Sequence, residues 1–227
     1  MKYGLLAIFC LAFLVTGAQA DEASAPKTDQ QKESYSLGYK IGLDFQNIDI
    51  EPDSLARGMK DALANGKPSL TEEQMREALM NLQKKVMARQ QQQIEQLAEK
   101  NRQAGKAFLL ENRQKKGVKT TSSGLQYKVV EKGSGKKPGP DDTVVVHYRG
   151  HFLDGKEFDS SYKRNEPATF MVKKVIPGWT EALQMMKEGA KWEVFIPSEL
   201  AYGEEGAPGI APNSTLVFDV ELVSIQK

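Results

Sequence analysis

Between Thr71 and Lys116 the chain carries no proline and one glycine, Gly105, before Gly117 stops the run. Such a stretch reads as one helix, starting near Ser69 or Thr71, where Thr71-Glu-Glu-Gln74 matches a capping box. At 1.5 Å per residue it would reach about 65–70 Å, far longer than an ordinary globular helix. Met75, Leu79, Leu82 and Val86 fall at i, i+4, i+7 and i+11 and form a stripe to be buried. Around Gln90–Gln93 the stripe fades to Ile94 and Leu97, the pattern of a helix that bridges domains through solvent.

Two shorter helices are expected before it, near Lys32–Gln46 and Pro52–Ala64, with a turn at Asn65-Gly66. They offer Leu37, Ile41, Leu43, Phe45, Leu55, Met59 and Leu63 to the stripe, a thin core for so much helix. Small cores need oligomerisation, so residues 21–118 are expected to form a homodimer. The alternative is a monomeric helical hairpin packed on the remainder of the chain.

The first twenty residues read as a leader: Lys2, an apolar run from Leu5 to Val15, and Ala18-Gln-Ala20 as a cleavage site before Asp21. The apolar run is short for a membrane span, though a retained anchor is the competing reading. Asp21 to about Gln31 is polar and reads as a mobile segment. Removing the leader takes away the only cysteine, Cys10, so disulfide and thiol chemistry are excluded from the remainder. It also takes Lys2, leaving 30 basic and 30 acidic residues spread along the chain. That balance argues against a nucleic-acid partner, which needs a concentrated basic patch.

From Gly117 onward the period changes. Leu125–Val130, Thr143–Phe152, Thr169–Val172 and Trp192–Ile196 read as strands, and Leu216, Phe218, Val220 and Leu222 alternate along a last one. Trp179–Lys187 is the one helical patch. The fold class is therefore α+β: a helical N-terminal module, a long connecting helix, and a C-terminal antiparallel sheet around one short helix, with domains at 21–118 and 119–227. Through this region run, in order, Val146-His-Tyr-Arg-Gly150, Gly155-Lys-Glu-Phe-Asp-Ser-Ser161, Val175-Ile-Pro-Gly-Trp179, Ala201-Tyr-Gly203 and Leu216-Val-Phe-Asp-Val220. These segments pool aromatic and aliphatic side chains with few polar groups, which suits an apolar pocket in which a bond is twisted. His147 and His151 could share a strand face, but without a third ligand no metal site is expected, and no cofactor is required.

The five ordered motifs closely resemble the FK506-binding-protein class of peptidyl-prolyl cis-trans isomerases, and the long-helix layout resembles its dimeric, periplasmic macrophage-infectivity-potentiator branch. The resemblance implies a pocket of Tyr148, Phe158, Asp159, Val175, Ile176, Trp179, Tyr202, Ile210 and Phe218. In it Trp179 forms the floor under a proline ring, with Tyr148, Phe158 and Phe218 as walls. The Ile176 N–H and the Tyr202 hydroxyl would hold substrate carbonyls, Asp159 would act on the amide or orient Tyr148, and Arg164 would pair with Asp159. Gly203, Gly206 and Gly209, with Pro208 and Pro212, mark a flexible flap after Tyr202. Taken singly, Trp179 and Phe218 could be ordinary core, Tyr202 a surface turn residue and Asp159 a turn cap.

What the resemblance implies in function is isomerisation of proline bonds in unfolded or partly folded exported polypeptides, with a periplasmic location and possible association with the outer membrane or cell surface. Macrolide inhibitors of the FK506 class are expected ligands, although Ala168 and Ala207 depart from the common pattern at two pocket-side positions. A holdase chaperone, binding clients in a cleft between two arms, is the alternative function from another class.

Overall fold

A computed structural model describes residues 25–226. The expected leader at 1–20 and its Cys10 lie outside the described residues. The described residues fall into two compact units that meet at Met75/Arg76, within the long helix. No helix among the described residues is long and apolar enough to cross a membrane.

In the first unit, α1 spans Asp29–Asp44 and α2 Pro52–Leu63. Helix α1 begins three residues earlier than expected because Thr28 and Gln31 form a capping box. Helix α2 starts on Pro52, with Glu51 accepting from the Asp53 and Ser54 amides. Asn65, in the left-handed region at φ 52°, makes the turn after it. No residue of α1 or α2 is buried: Leu37, Leu43 and Leu63 are 62%, 50% and 85% exposed. The long helix α3 spans Glu72–Asn112, and its capping box closes as the sequence demands, with Thr71 N–H on Gln74 Oε1 (2.9 Å) and Gln74 N–H on Thr71 Oγ1 (3.2 Å).

The second unit is built on an antiparallel sheet ordered β1-β2-β6-β7-β3-β4, with β5 also pairing to β3. Its strands are β1 Val118–Thr120, β2 Gln126–Lys132, β3 Thr143–His151, β4 Glu157–Ser160, β5 Ala168–Met171, β6 Ala190–Ile196 and β7 Leu216–Gln226. The remaining helix, α4, spans Pro177–Met185. Leu183 and Met186 pack against Val146, Val194, Ile196, Leu216, Val220 and Leu222 in one core. Strands β1 and β4 were not expected from sequence. Both are short, polar edge elements whose pairing partners lie elsewhere in the chain.

The solvated character expected around Gln90–Gln93 does not extend to the last turns of α3, which are covered. Gly105 and Asn112 are buried, and Phe108 lies 5.8 Å from the ring of Phe195 on β6. This cover explains why Val217, paired with Phe195, is buried although it faces away from α4. Asn112 Nδ2 donates to Gln126 Oε1 (3.0 Å), and Gln126 Nε2 donates to the Leu109 carbonyl (2.8 Å), which also accepts the Arg113 N–H (3.1 Å). At Gly105 an added Cβ would stand 2.2 Å from Thr215 Oγ1 and 3.3 Å from Thr215 Cβ. Replacing an interior helix glycine by alanine ordinarily stabilises by about 0.5–1 kcal/mol. Here Gly105→Ala is expected to lower the melting temperature instead, and a Thr215→Ala background is expected to reverse the sign. An alanine at 105 that is neutral alone would show that this approach does not limit packing.

Candidate active site

The inward face of β3 runs Val144, Val146, Tyr148, Gly150, and it carries Tyr148 to one end of the core. Antiparallel pairing of Gly150 with Asp159 brings Phe158 and Asp159 alongside. Strand β5 delivers Phe170. The turn Val172–Lys174 then leads through Val175 and Ile176 into α4, which Pro177 starts and whose first turn presents Trp179. Gly178 allows α4 to begin close to β6, because a Cβ there would lie 2.5 Å from Ile196 Cγ2. Strand β7 adds Phe218, and Tyr202 follows the short turn Ser198–Leu200.

Together these residues line a hollow of about 370 Å³: Tyr148, Phe158, Asp159, Phe170, Lys174, Val175, Ile176, Trp179, Tyr202 and Phe218. Trp179 is 5% exposed, and three rings meet it edge to face: Tyr148 at 5.3 Å and 88°, Phe170 at 5.7 Å and 82°, Phe218 at 5.3 Å and 82°. Phe158 meets Phe218 at 5.5 Å and 90°. Edge-to-face contact suits the quadrupoles of the rings and locks the walls against one another. Gly150 is required by this arrangement, since a Cβ there would lie 2.7 Å from both Phe158 and Phe218.

One polar cluster borders the aromatic box. The Tyr148 hydroxyl donates to Asp159 Oδ2, Arg164 Nη1 donates to Asp159 Oδ1 (2.7 Å), and Arg164 Nη2 donates to the Tyr148 hydroxyl (2.8 Å). Partial burial works to raise the Asp159 pKa, but hydrogen bonds from Tyr148 and Arg164 overcome it and hold the carboxyl below the usual range. Burial and the Asp159 bond push the Tyr148 hydroxyl up, so it stays a donor at neutral pH. The Ser161 hydroxyl, fully buried, fixes the Tyr148 backbone, receiving its N–H at 2.9 Å.

Eight of the ten site residues expected from sequence line the hollow. Ile210 does not. It lies in a tight turn where Ala207 and Ile210 exchange backbone bonds of 2.9 and 2.8 Å. Arg164 does not line it either and is joined to it by its hydrogen bonds to Asp159 and Tyr148. Phe170 and Lys174 were missed. Phe170 was legible as the aromatic of the expected strand Thr169–Val172, but nothing in that strand says which face meets Trp179. The flap after Tyr202 is a closed loop, with Gly203, Gly206 and Gly209 at φ 60°, 71° and 81°. His147 and His151 part company: His147 stacks on Tyr162 and meets Ser161 Oγ, while His151 bonds the Phe152 carbonyl.

With its aromatic floor and walls and its single charged cluster, the site can shelter an apolar ring and present few polar groups to a flanking backbone. Residues 134–223 match the family model described as FKBP-type peptidyl-prolyl cis-trans isomerase, and residues 30–129 the domain amino terminal to it. Outer membrane protein MIP of Legionella longbeachae is 47% identical over 230 residues, covering 100% of this chain and 98% of that protein. Peptidyl-prolyl cis-trans isomerase Mip of Coxiella burnetii is 44% identical over 226 residues, with 98% of each covered. The crystal structure of FkpA from Escherichia coli is similar at a TM-score of 0.75 and 44% identity, covering 89% of this chain and 99% of that one. A sequence so similar along its whole length, folded around this aromatic hollow, belongs to the FKBP-type peptidyl-prolyl cis-trans isomerases.

Proposed function

We propose that the hollow floored by Trp179 is where this isomerase twists the prolyl bond, in unfolded or partly folded polypeptides of the cell envelope. The observation that carries the reading is the box of edge-to-face rings around Trp179. Rotation about a prolyl amide is slow because it breaks resonance, at a cost of roughly 18–20 kcal/mol. The twisted amide has less charge separation than the planar one. A water-excluding aromatic site therefore disfavours the ground state more than the transition state, the direction that catalyses. No nucleophile or proton shuttle enters this scheme. Among the described residues the Ile176 N–H meets no backbone acceptor, which leaves it available to a substrate carbonyl. Tyr202, 40% exposed at the rim, offers its hydroxyl to another. Asp159 holds Tyr148 in place and sets a negative charge beside the amide, with Arg164 fixing the carboxylate. Macrolides of the FK506 class would compete for the same hollow.

The N-terminal helices support a homodimer: α1 and α2 bury nothing within one chain, and Leu79 on α3 is 65% exposed. The same apolar faces favour a second role in holding clients against aggregation. An envelope location, periplasmic or at the outer membrane, fits the leader-like first residues and the name Outer membrane protein MIP carried by the Legionella longbeachae relative. Because the last turns of α3 pack under the sheet, the informative truncation removes residues 21–75 rather than 21–118. Sedimentation is expected to give a dimer for the protein from Asp21 onward and a monomer for the truncated form. Isomerisation of a short Xaa-Pro peptide should survive the truncation while suppression of aggregation falls. A truncated protein that still sediments as a dimer contradicts the assignment of the interface, and a peptide rate equal to the spontaneous one contradicts the catalytic reading.

A further inference from the structure

We infer that Asn101 of α3 is a positioning residue for Tyr202, holding in place the loop that sets this ring at the rim of the hollow. The inference rests on the substrate-binding role proposed above for Tyr202. Among the described residues Tyr202 takes no part in the ring-on-ring contacts that fix Tyr148, Phe158, Phe170, Trp179 and Phe218. Its place is set by its backbone, held on one side by the Ser198–Leu200 turn, whose Ser198 carbonyl accepts the Ala201 and Gly203 N–H groups at 2.9 Å, and on the other by a loop closed on itself.

Gly206 N–H donates to the Tyr202 carbonyl at 3.2 Å, and Asn213 N–H donates to the Gly203 carbonyl at 2.8 Å. Asn213 holds a left-handed φ of 55°, a conformation that non-glycine residues keep only when their surroundings support it. The support comes from the long helix. Asn101 Nδ2 donates to the carbonyl of the adjoining Pro212 at 2.9 Å in a partly buried contact. The same amide lies 3.5 Å from Ser214 Oγ, which in turn donates to the Ala211 carbonyl at 2.6 Å. Four residues further along, on the same face of α3, Gly105 abuts Thr215. The Gly105 contact and the Asn112–Gln126 pair dock the helix on the sheet. Asn101 reaches past that interface to the loop, and the Asn213–Gly203 bond carries the restraint to the residue beside Tyr202.

The test uses the full chain and combines Asn101→Leu, close in size but without a donor, with Tyr202→Phe. Asn101→Leu is expected to lower kcat/KM for a short Xaa-Pro peptide about threefold to tenfold, as for loss of one partly buried hydrogen bond. The loss should appear mainly in KM, with faster amide exchange at Gly203 and Asn213 and an unchanged far-UV spectrum. In the Tyr202→Phe background the same substitution should cost less than about twofold, because two changes acting through one group are not additive. An equal factor in both backgrounds, or an unchanged kcat/KM for Asn101→Leu alone, overturns the inference. A silent Tyr202→Phe overturns instead the role of Tyr202 on which it rests, so the two failures are distinguishable. Should leucine not be accommodated, Asn101→Ala serves in the same cycle with the same criteria.

Discussion

Gly150→Val is expected to reduce isomerisation of a short Xaa-Pro peptide at least about a hundredfold while the protein remains folded. The first added carbon would already lie 2.7 Å from Phe158 Cζ and Phe218 Cε1. Both rings line the hollow, and Phe218 meets Trp179 at 5.3 Å, so neither can retreat into the core without displacing the floor. They must move outward, into the space a proline ring needs. Displacements of about 1 Å at a catalytic site cost on the order of a hundredfold. Overpacking a site of this kind costs roughly 1–3 kcal/mol of stability, less than the total for a typical domain. Circular dichroism should therefore remain native while peptide turnover and binding of a proline-mimicking ligand are lost together. A variant that keeps wild-type turnover would mean that these two walls do not shape the reacting space.

Asp159→Ala should lower kcat/KM by about tenfold, chiefly through kcat. Its carboxylate accepts from the Tyr148 hydroxyl, the Arg164 guanidinium and the Ser160 amide, and hydrogen bonds to a charged group are worth roughly 1.5–3 kcal/mol. The carboxylate is 44% exposed, so solvent screening argues for the lower end. Removing it frees Tyr148 to turn on Arg164 alone and strips the negative charge from the rim. Asp159→Asn, which keeps the shape, separates the two effects. A near-normal rate for asparagine would assign the role to the geometry of Tyr148 rather than to charge. The stability consequence has a definite sign. The folded pKa of Asp159 lies below its unfolded value of about 3.9. Its stabilisation is therefore complete above that value and is lost as pH falls through the folded pKa. Melting temperatures of wild type and Asp159→Asn should differ at pH 7 and converge on acidification below about pH 4. Curves that stay parallel across that range would remove the carboxylate from the balance.

Both predictions depend on residues that the chain displays openly and on neighbours it does not. The aromatic set Tyr148, Phe158, Trp179 and Phe218 stood out because five motifs follow one another in order. The α3 helix stood out because proline is missing from so long a run. Strand periodicity placed β3, β6 and β7 within a few residues of their ends. It missed β4, whose Glu157–Ser160 is short and polar and is a strand only because β3 lies beside it. It also left Phe170 unassigned, since a single aromatic in a four-residue strand has no direction until α4 is set against it.

What this chain's residues determine unaided is local: where helices begin on Pro52 and Thr71, where glycine or asparagine turns the backbone, and which faces are apolar. Capping, backbone sterics and the two side-chain periods act within a few residues, so they can be read in order along the chain. What only the tertiary structure decides is which surface covers which. That Phe108 and Gly105 lie beneath the sheet, that Gly150 makes room for two rings, and that Asn101 reaches Pro212 are contacts between residues far apart in the chain. They arise from close packing, which depends on shape at every point of contact, and no single segment contains that information.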